Sequence, residues 1–169
     1  ATLHGSPAVA LRVLQAGADI NWRGHSAHKE DSVTALHIAA LVKNSDVLEM
    51  LILGGADVNA RTSLAPGVEY PHSLGGGKTP LQCAMDINVV HKNCAVELID
   101  GLLRANAEPT VADADGVSPL HSAAKPAYHT VAALQCARAL RNQVEGDSAI
   151  MVELIMAQAV ALSHSAVQL

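Results

Sequence analysis

The chain is poor in aromatic residues. Its 169 residues include no Phe, one Trp and two Tyr. Large aromatic rings dominate most globular cores, and a core of that kind is excluded here. The apolar half of the composition packs instead through Ala, Leu and Val, which suits thin helix pairs. Charge is also scarce, at 16% of residues with a net charge of −5. That balance offers no basic footprint for nucleic acid. The three cysteines, Cys83, Cys94 and Cys136, make no paired framework, which points to a reducing, intracellular setting. No apolar stretch reaches the roughly 18 residues a membrane span needs, and no secretory signal is visible. The expectation is a cytoplasmic chain, with the nucleus as the other location, without membrane insertion.

What is present is repetition. One phrase reads Thr34-Ala35-Leu36-His37-Ile38-Ala39, then Thr79-Pro80-Leu81-Gln82-Cys83-Ala84, then Ser118-Pro119-Leu120-His121-Ser122-Ala123. A second reads Gly17-Ala18-Asp19-Ile20-Asn21, Gly55-Ala56-Asp57-Val58-Asn59, and a degenerate Asn106-Ala107-Glu108-Pro109-Thr110. Each part has a physical use. Thr34, Thr79 and Ser118 carry hydroxyls suited to capping a helix start. Pro80 and Pro119 follow at the first helical position, where a missing N–H costs nothing; Ala35 weakens that signal in the first copy. Leu36, Leu81 and Leu120 should point inward, and Ala39, Ala84 and Ala123 should let helices approach closely. Gly17 and Gly55 suit the left-handed residue that ends a helix, and Asn106 is the next most tolerant type.

The two phrases, recurring in phase, resemble the ankyrin repeat, a unit of about 33 residues. Thr34 and Gly55 are 21 positions apart, and Thr110 and Ser118 are eight apart, the steps usual in that family. The resemblance covers roughly residues 8–125 and the remainder more loosely. It implies an all-α solenoid of about four helix-pair repeats with projecting β-hairpin loops. On that reading 1–169 is a single domain, with a partial repeat at 1–33, repeats at 34–78 and 79–117, and a divergent repeat at 118–162. The chain begins with Ala, and Ala8–Asn21 reads as the second helix of a repeat whose first helix is missing or abbreviated. A fragment of a longer protein is the expectation.

Along the chain, helices are expected over about 8–15, 35–42 and 47–53, with a turn at Asn44-Ser45-Asp46. The register slips in three places. Residues 22–33 form a lengthened hairpin. Residues 60–78, with two Pro and four Gly, form a long loop of the kind that is functional or disordered. About six residues are added around 87–93. After Pro126 comes an amphipathic stretch at 130–142, then a helix at about 149–162. That helix is apolar almost all round, with Ile150, Val152, Leu154, Ile155 and Val160 among its residues. It should be buried on more than one side, against further repeats or a partner subunit.

Several constellations with a chemical look have plainer explanations. In the resembled family the imidazoles at His37 and His121 hold hydrogen bonds within and between repeats, and Gln82 can donate and accept in the same place. His25, His28, Glu30 and Asp31 lie in a loop without the defined geometry a zinc site needs. His91 and Cys94 have no orienting third group. Cys83 is expected to be packed. Gly77-Lys78-Thr79 fails the phosphate-loop pattern because His72 stands where a Gly is required. Leu51 lies eight residues before Asn59, which resembles the context in which ankyrin hairpin asparagines are hydroxylated; a hydrogen-bonding role in the hairpin is the favoured reading.

The expected function is non-catalytic binding of another protein, with no cofactor, no metal and no enzymatic activity. The resemblance implies a concave face built from hairpin tips and first helices. The candidate contact residues are Trp22, Arg23 and His25 in the first loop, Arg61, Glu69, Tyr70 and His72 in the second, and Ala112–Asp115 in the third. Two other classes stay open: an accessory or regulatory domain of a larger enzyme or channel, and a structural subunit buried in a large assembly.

Overall fold

A computed structural model describes residues 7–25, 32–63, 76–85 and 96–123. Among them are six helices and one short ribbon: α1 (Pro7–Gln15), β1 (Gly24–His25), β2 (Ser32–Val33), α2 (Ala35–Leu41), α3 (Ser45–Leu53), α4 (Pro80–Ala84), α5 (Val96–Arg104) and α6 (Pro119–Ala123). The helices stack in two rows. In one, α2 packs on α4 and α4 on α6; in the other, α1 packs on α3 and α3 on α5. Cross-contacts of α2 with α3 and of α4 with α5 join the rows into helix pairs. The result is a helical repeat solenoid.

The recurring phrases build each pair. Thr79 caps α4 in an extended conformation, and its hydroxyl accepts from the Gln82 N–H at 3.4 Å. Ser118 does the same for His121 at 3.3 Å. Each bond satisfies one of the donors that a helix start leaves unpaired. Leu36 and Leu81 are fully buried, as are Ala39 and Ala84 between the rows. Val47, Leu48 and Leu51 of α3 and Leu98, Ile99, Leu102 and Leu103 of α5 complete one continuous core. Cys83 is buried within it. The helix ends turn as the sequence suggests: Gly55 and Asn106 have φ of +86° and +65°, the left-handed cap that Gly and Asn tolerate.

Two boundaries differ from the expected ones. The turn between α2 and α3 lies earlier than Asn44-Ser45-Asp46, at residues 42–44, and α3 begins at Ser45. Lys43 supplies the reversal instead, with φ of +58°, and the Asn44 side chain accepts from the Val47 N–H at 3.1 Å. That cap frees Ser45 and Asp46 to enter the helix, where an acidic first turn is favourable. Helix α2 ends at Leu41, with Val42 as its C-cap.

The first loop is a hairpin, antiparallel with Gly24 opposite Val33 and His25 opposite Ser32. The start of the second loop joins it: Ser32 and Ser63 exchange backbone bonds of 3.1 and 3.2 Å. The residues added around 87–93, together with His91 and Cys94, lie outside the described residues, as do the stretches at 130–142 and 149–162. Among the described residues no helix is long and apolar enough to cross a membrane.

Candidate partner-binding surface

The hairpin side of the solenoid is tied together by side chains that repeat in register. Asn21 and Asn59 follow Asp19 and Asp57 by two residues, and each Asp carboxylate accepts the N–H of its Asn, at 2.9 and 3.0 Å. This is the Asx turn typical of such sequences. The Asn side chains then reach one loop onward. Asn21 Oδ1 accepts from the Asp57 N–H at 2.8 Å. Asn59 Oδ1 accepts from the Glu108 N–H at 2.9 Å, and its Nδ2 donates to the Asn106 carbonyl at 3.1 Å. Both ends of the Asn59 amide thus have backbone partners, as the hydrogen-bonding reading requires.

Two positions after each Asn stands an arginine. Arg23 Nη1 donates to the Arg61 carbonyl at 2.9 Å and to Ser32 Oγ at 3.4 Å. Arg61 Nη2 donates to the Ala112 carbonyl at 2.7 Å, and its Nε to the Gly77 carbonyl at 3.2 Å. Ala112 holds the equivalent place in the third loop, so the relay stops there. Both guanidiniums were expected as anchors for a partner; both also brace the surface from within. A charged donor to a carbonyl is among the stronger neutral-partner bonds.

A third ladder runs beneath the loops. The Nδ1 of His37 accepts from the Thr34 N–H at 3.2 Å and from the Thr34 hydroxyl at 2.8 Å. Its Nε2 faces the Lys78 carbonyl at 3.1 Å. An N–H on one side and a carbonyl on the other fix the tautomer: the proton sits on Nε2. Burial pushes the His37 imidazole from its ordinary value of 6.5 down to about 4, with the Lys78 carbonyl acting weakly the other way. His121 meets Ser118 through Nδ1 at 2.7 Å. These rings are used up in structure. Among the described residues, no three His, Cys, Asp or Glu side chains gather where a metal ion would sit.

Trp22 is different. It is 64% exposed, yet its ring lies over the Gly24 backbone, where an added Cβ would come within 2.8 Å of it. The hairpin therefore presents a large amphipathic ring on a backbone that is held from below by Arg23. His25 is the second residue of β1. Glu69, Tyr70 and His72 are outside the described residues. In the third loop the Asp113 carboxylate accepts from the Asp115 and Val117 N–H groups at 3.1 and 2.8 Å, closing a tight turn over Ala112–Asp115. The arginine relay was not foreseen from sequence. The one available signal is that Arg23 and Arg61 share the same offset from their asparagines.

Residues 31–63 match the family described as Ankyrin repeat. The chain is 34% identical over 107 residues to Ankyrin repeat and SOCS box protein 6 of Mus musculus, which covers 58% of this chain and 24% of that protein. It is 36% identical over 93 residues to the ARF GTPase-activating protein Git of Drosophila melanogaster, which covers 55% of this chain and 10% of that protein. The chain thus spans a quarter or less of the length of these relatives. Recurring phrases, paired helices and in-register ladders agree with these matches, which place an ankyrin repeat at residues 31–63 and make the chain similar to ankyrin-repeat proteins.

Proposed function

We propose that the chain is a non-catalytic scaffold or adaptor that binds another protein through its hairpin loops and concave face. In this reading it is one domain of about four repeats, divided at residues 34, 79 and 118, and it works inside the cell. The observation that carries the proposal is Trp22. A solvent-facing Trp on a braced backbone loses little freedom on binding, and Trp is among the residues that most often dominate an interface. His25, Glu69, Tyr70 and His72 are assigned to the same surface, with Arg23 and Arg61 both bracing it and lending charge.

The test is affinity capture with the full chain and with Trp22→Ala, followed by a direct Kd for the captured partner. A loss of at least tenfold in the variant supports the surface. Equal affinity overturns it.

A second reading rests on the relatives. One is a GTPase-activating protein of which this chain matches a tenth, so the repeats would serve as the positioning part of a larger enzyme. Joining the full reading frame to a GTPase assay separates the two: activity in the longer protein that changes when the repeats are deleted favours the accessory role.

A further inference from the structure

A second surface, sharing no residue with the hairpin site, lies between α1 and α3. It is an open groove of about 800 Å³. Leu11 and Leu14 of α1, Ile20, and Met50 and Leu53 of α3 give it an apolar lining. Ile20 closes one end by packing on Gly54, where a Cβ would approach it to 2.7 Å. The wall on the α3 side carries Asp46 and Glu49. Leu11 is 45% exposed and Leu53 81% exposed.

The solenoid supplies its own control. Aligning the helix ends at Gly17, Gly55 and Asn106 places Leu11 with Glu49, Met50 with Gly101, and Leu53 with Arg104. One repeat further on, the positions that are apolar in the groove are therefore acidic, side-chain-free and basic. Stacking of the rows does not call for apolar residues there. Arg104 also shows what the acidic wall does when a cation is at hand: its Nη2 pairs with Asp100 at 2.7 Å, four residues back along α5. Asp100 corresponds to Glu49. Leu53 stands in the cation's place, and among the described residues no cation pairs with Asp46 or Glu49. Exposed apolar surface rimmed by unmatched charge marks an interaction site.

We infer that this groove docks an amphipathic helix of a partner protein, one that lays an apolar stripe on Leu11, Met50 and Leu53 and sets Lys or Arg against Asp46 and Glu49. The mode is helix-in-groove recognition. The acidic wall repels anionic peptides and anionic lipid alike.

The experiment uses the full chain and two fluorescent model helices, one of Leu and Lys and one of Leu and Glu in the same amphipathic pattern. The Leu–Lys helix should bind with micromolar Kd, and the Leu–Glu helix at least tenfold more weakly. The double substitution Leu11→Glu with Leu53→Arg copies residues that α3 and α5 already carry, so the fold should persist by circular dichroism while Leu–Lys binding falls at least tenfold. Asp46→Asn with Glu49→Gln should weaken binding and flatten its salt dependence. Three results would overturn the inference: no binding of the Leu–Lys helix, equal binding of both helices, or equal binding by the Leu11→Glu/Leu53→Arg chain. So would a dimer in light scattering that the same substitutions dissolve, because the groove would then hold a second copy.

Discussion

His37 and Gln82 make the same two hydrogen bonds with different chemistry. Each accepts from the N–H of the Thr three residues earlier, through Nδ1 at 3.2 Å and Oε1 at 2.9 Å. Each donates to the carbonyl just before the next helix start, His37 to Lys78 at 3.1 Å and Gln82 to Val117 at 2.6 Å. A neutral imidazole protonated on Nε2 and a primary amide present an acceptor and a donor at matching ends.

This equivalence predicts the behaviour of His37→Gln. Near pH 7.5 its unfolding free energy should lie within about 1 kcal/mol of the parent, since both bonds survive. The acid limb should differ. The parent ring binds a proton at 6.5 when unfolded but only near 4 when folded, so between those values the unfolded state holds more protons and stability falls as pH falls. The full difference amounts to about 3 kcal/mol, present above pH 6.5 and gone below pH 4. The Gln variant does not titrate, so it escapes that loss and should fall less steeply than the parent as the pH drops from 6.5 to 4. Urea denaturation from pH 7.5 to 4 checks this: parallel curves for parent and variant would sink the assignment.

Arg61 and Gly77 form a coupled pair. Gly77 has φ of +73°, and an added Cβ would meet Arg61 Nη2 at 2.9 Å and the Ala114 N at 3.3 Å. Gly77→Ala should therefore cost about 1–3 kcal/mol through backbone strain and crowding. Arg61→Ala alone should cost about 1 kcal/mol, because the residue is solvent-exposed and its two bonds are discounted accordingly. Together the two should cost less than their sum, as removing the guanidinium removes part of the clash. A double-mutant cycle in Tm reads the coupling, and amide exchange at Gly77 and Ala114, whose N–H groups bond across the loops at 2.8 Å, should quicken in Arg61→Ala.

Two leucines test the packing. Leu81→Ala empties a buried site and should destabilise by about 2–5 kcal/mol. Leu53→Ala removes a side chain that faces water and should change stability by no more than about 0.5 kcal/mol. Chemical denaturation of both variants would expose a wrong core assignment if their effects were similar.

Much of this architecture is written in local letters. Thr79 and Ser118 cap because a hydroxyl there meets an N–H that any helix start leaves open. Gly55 and Asn106 turn because few other residues enter the left-handed region. His37 and Gln82 read as hydrogen-bonding residues because both types donate and accept. The arginine relay was not legible, since its acceptors are backbone carbonyls and a carbonyl has no letter. Lys43 was missed for a related reason: an unbranched residue at positive φ is uncommon, and nothing in Lys announces it. Leu11 and Leu53 hid in plain view. An apolar letter at helical spacing reads as core, and only the neighbouring turn, with Glu49 and Arg104 at the same places, reveals that the position faces outward.

The relay of guanidiniums also has a direction. Arg23 reaches forward to Arg61, and Arg61 reaches forward to Ala112. Each loop brings its own donor and asks its successor only for a carbonyl, which every residue type supplies. A unit of this kind joins whatever sequence follows without requiring a matching change there. The relay stops where a residue like Ala112 has no donor to reach on, while the stack itself continues into α6.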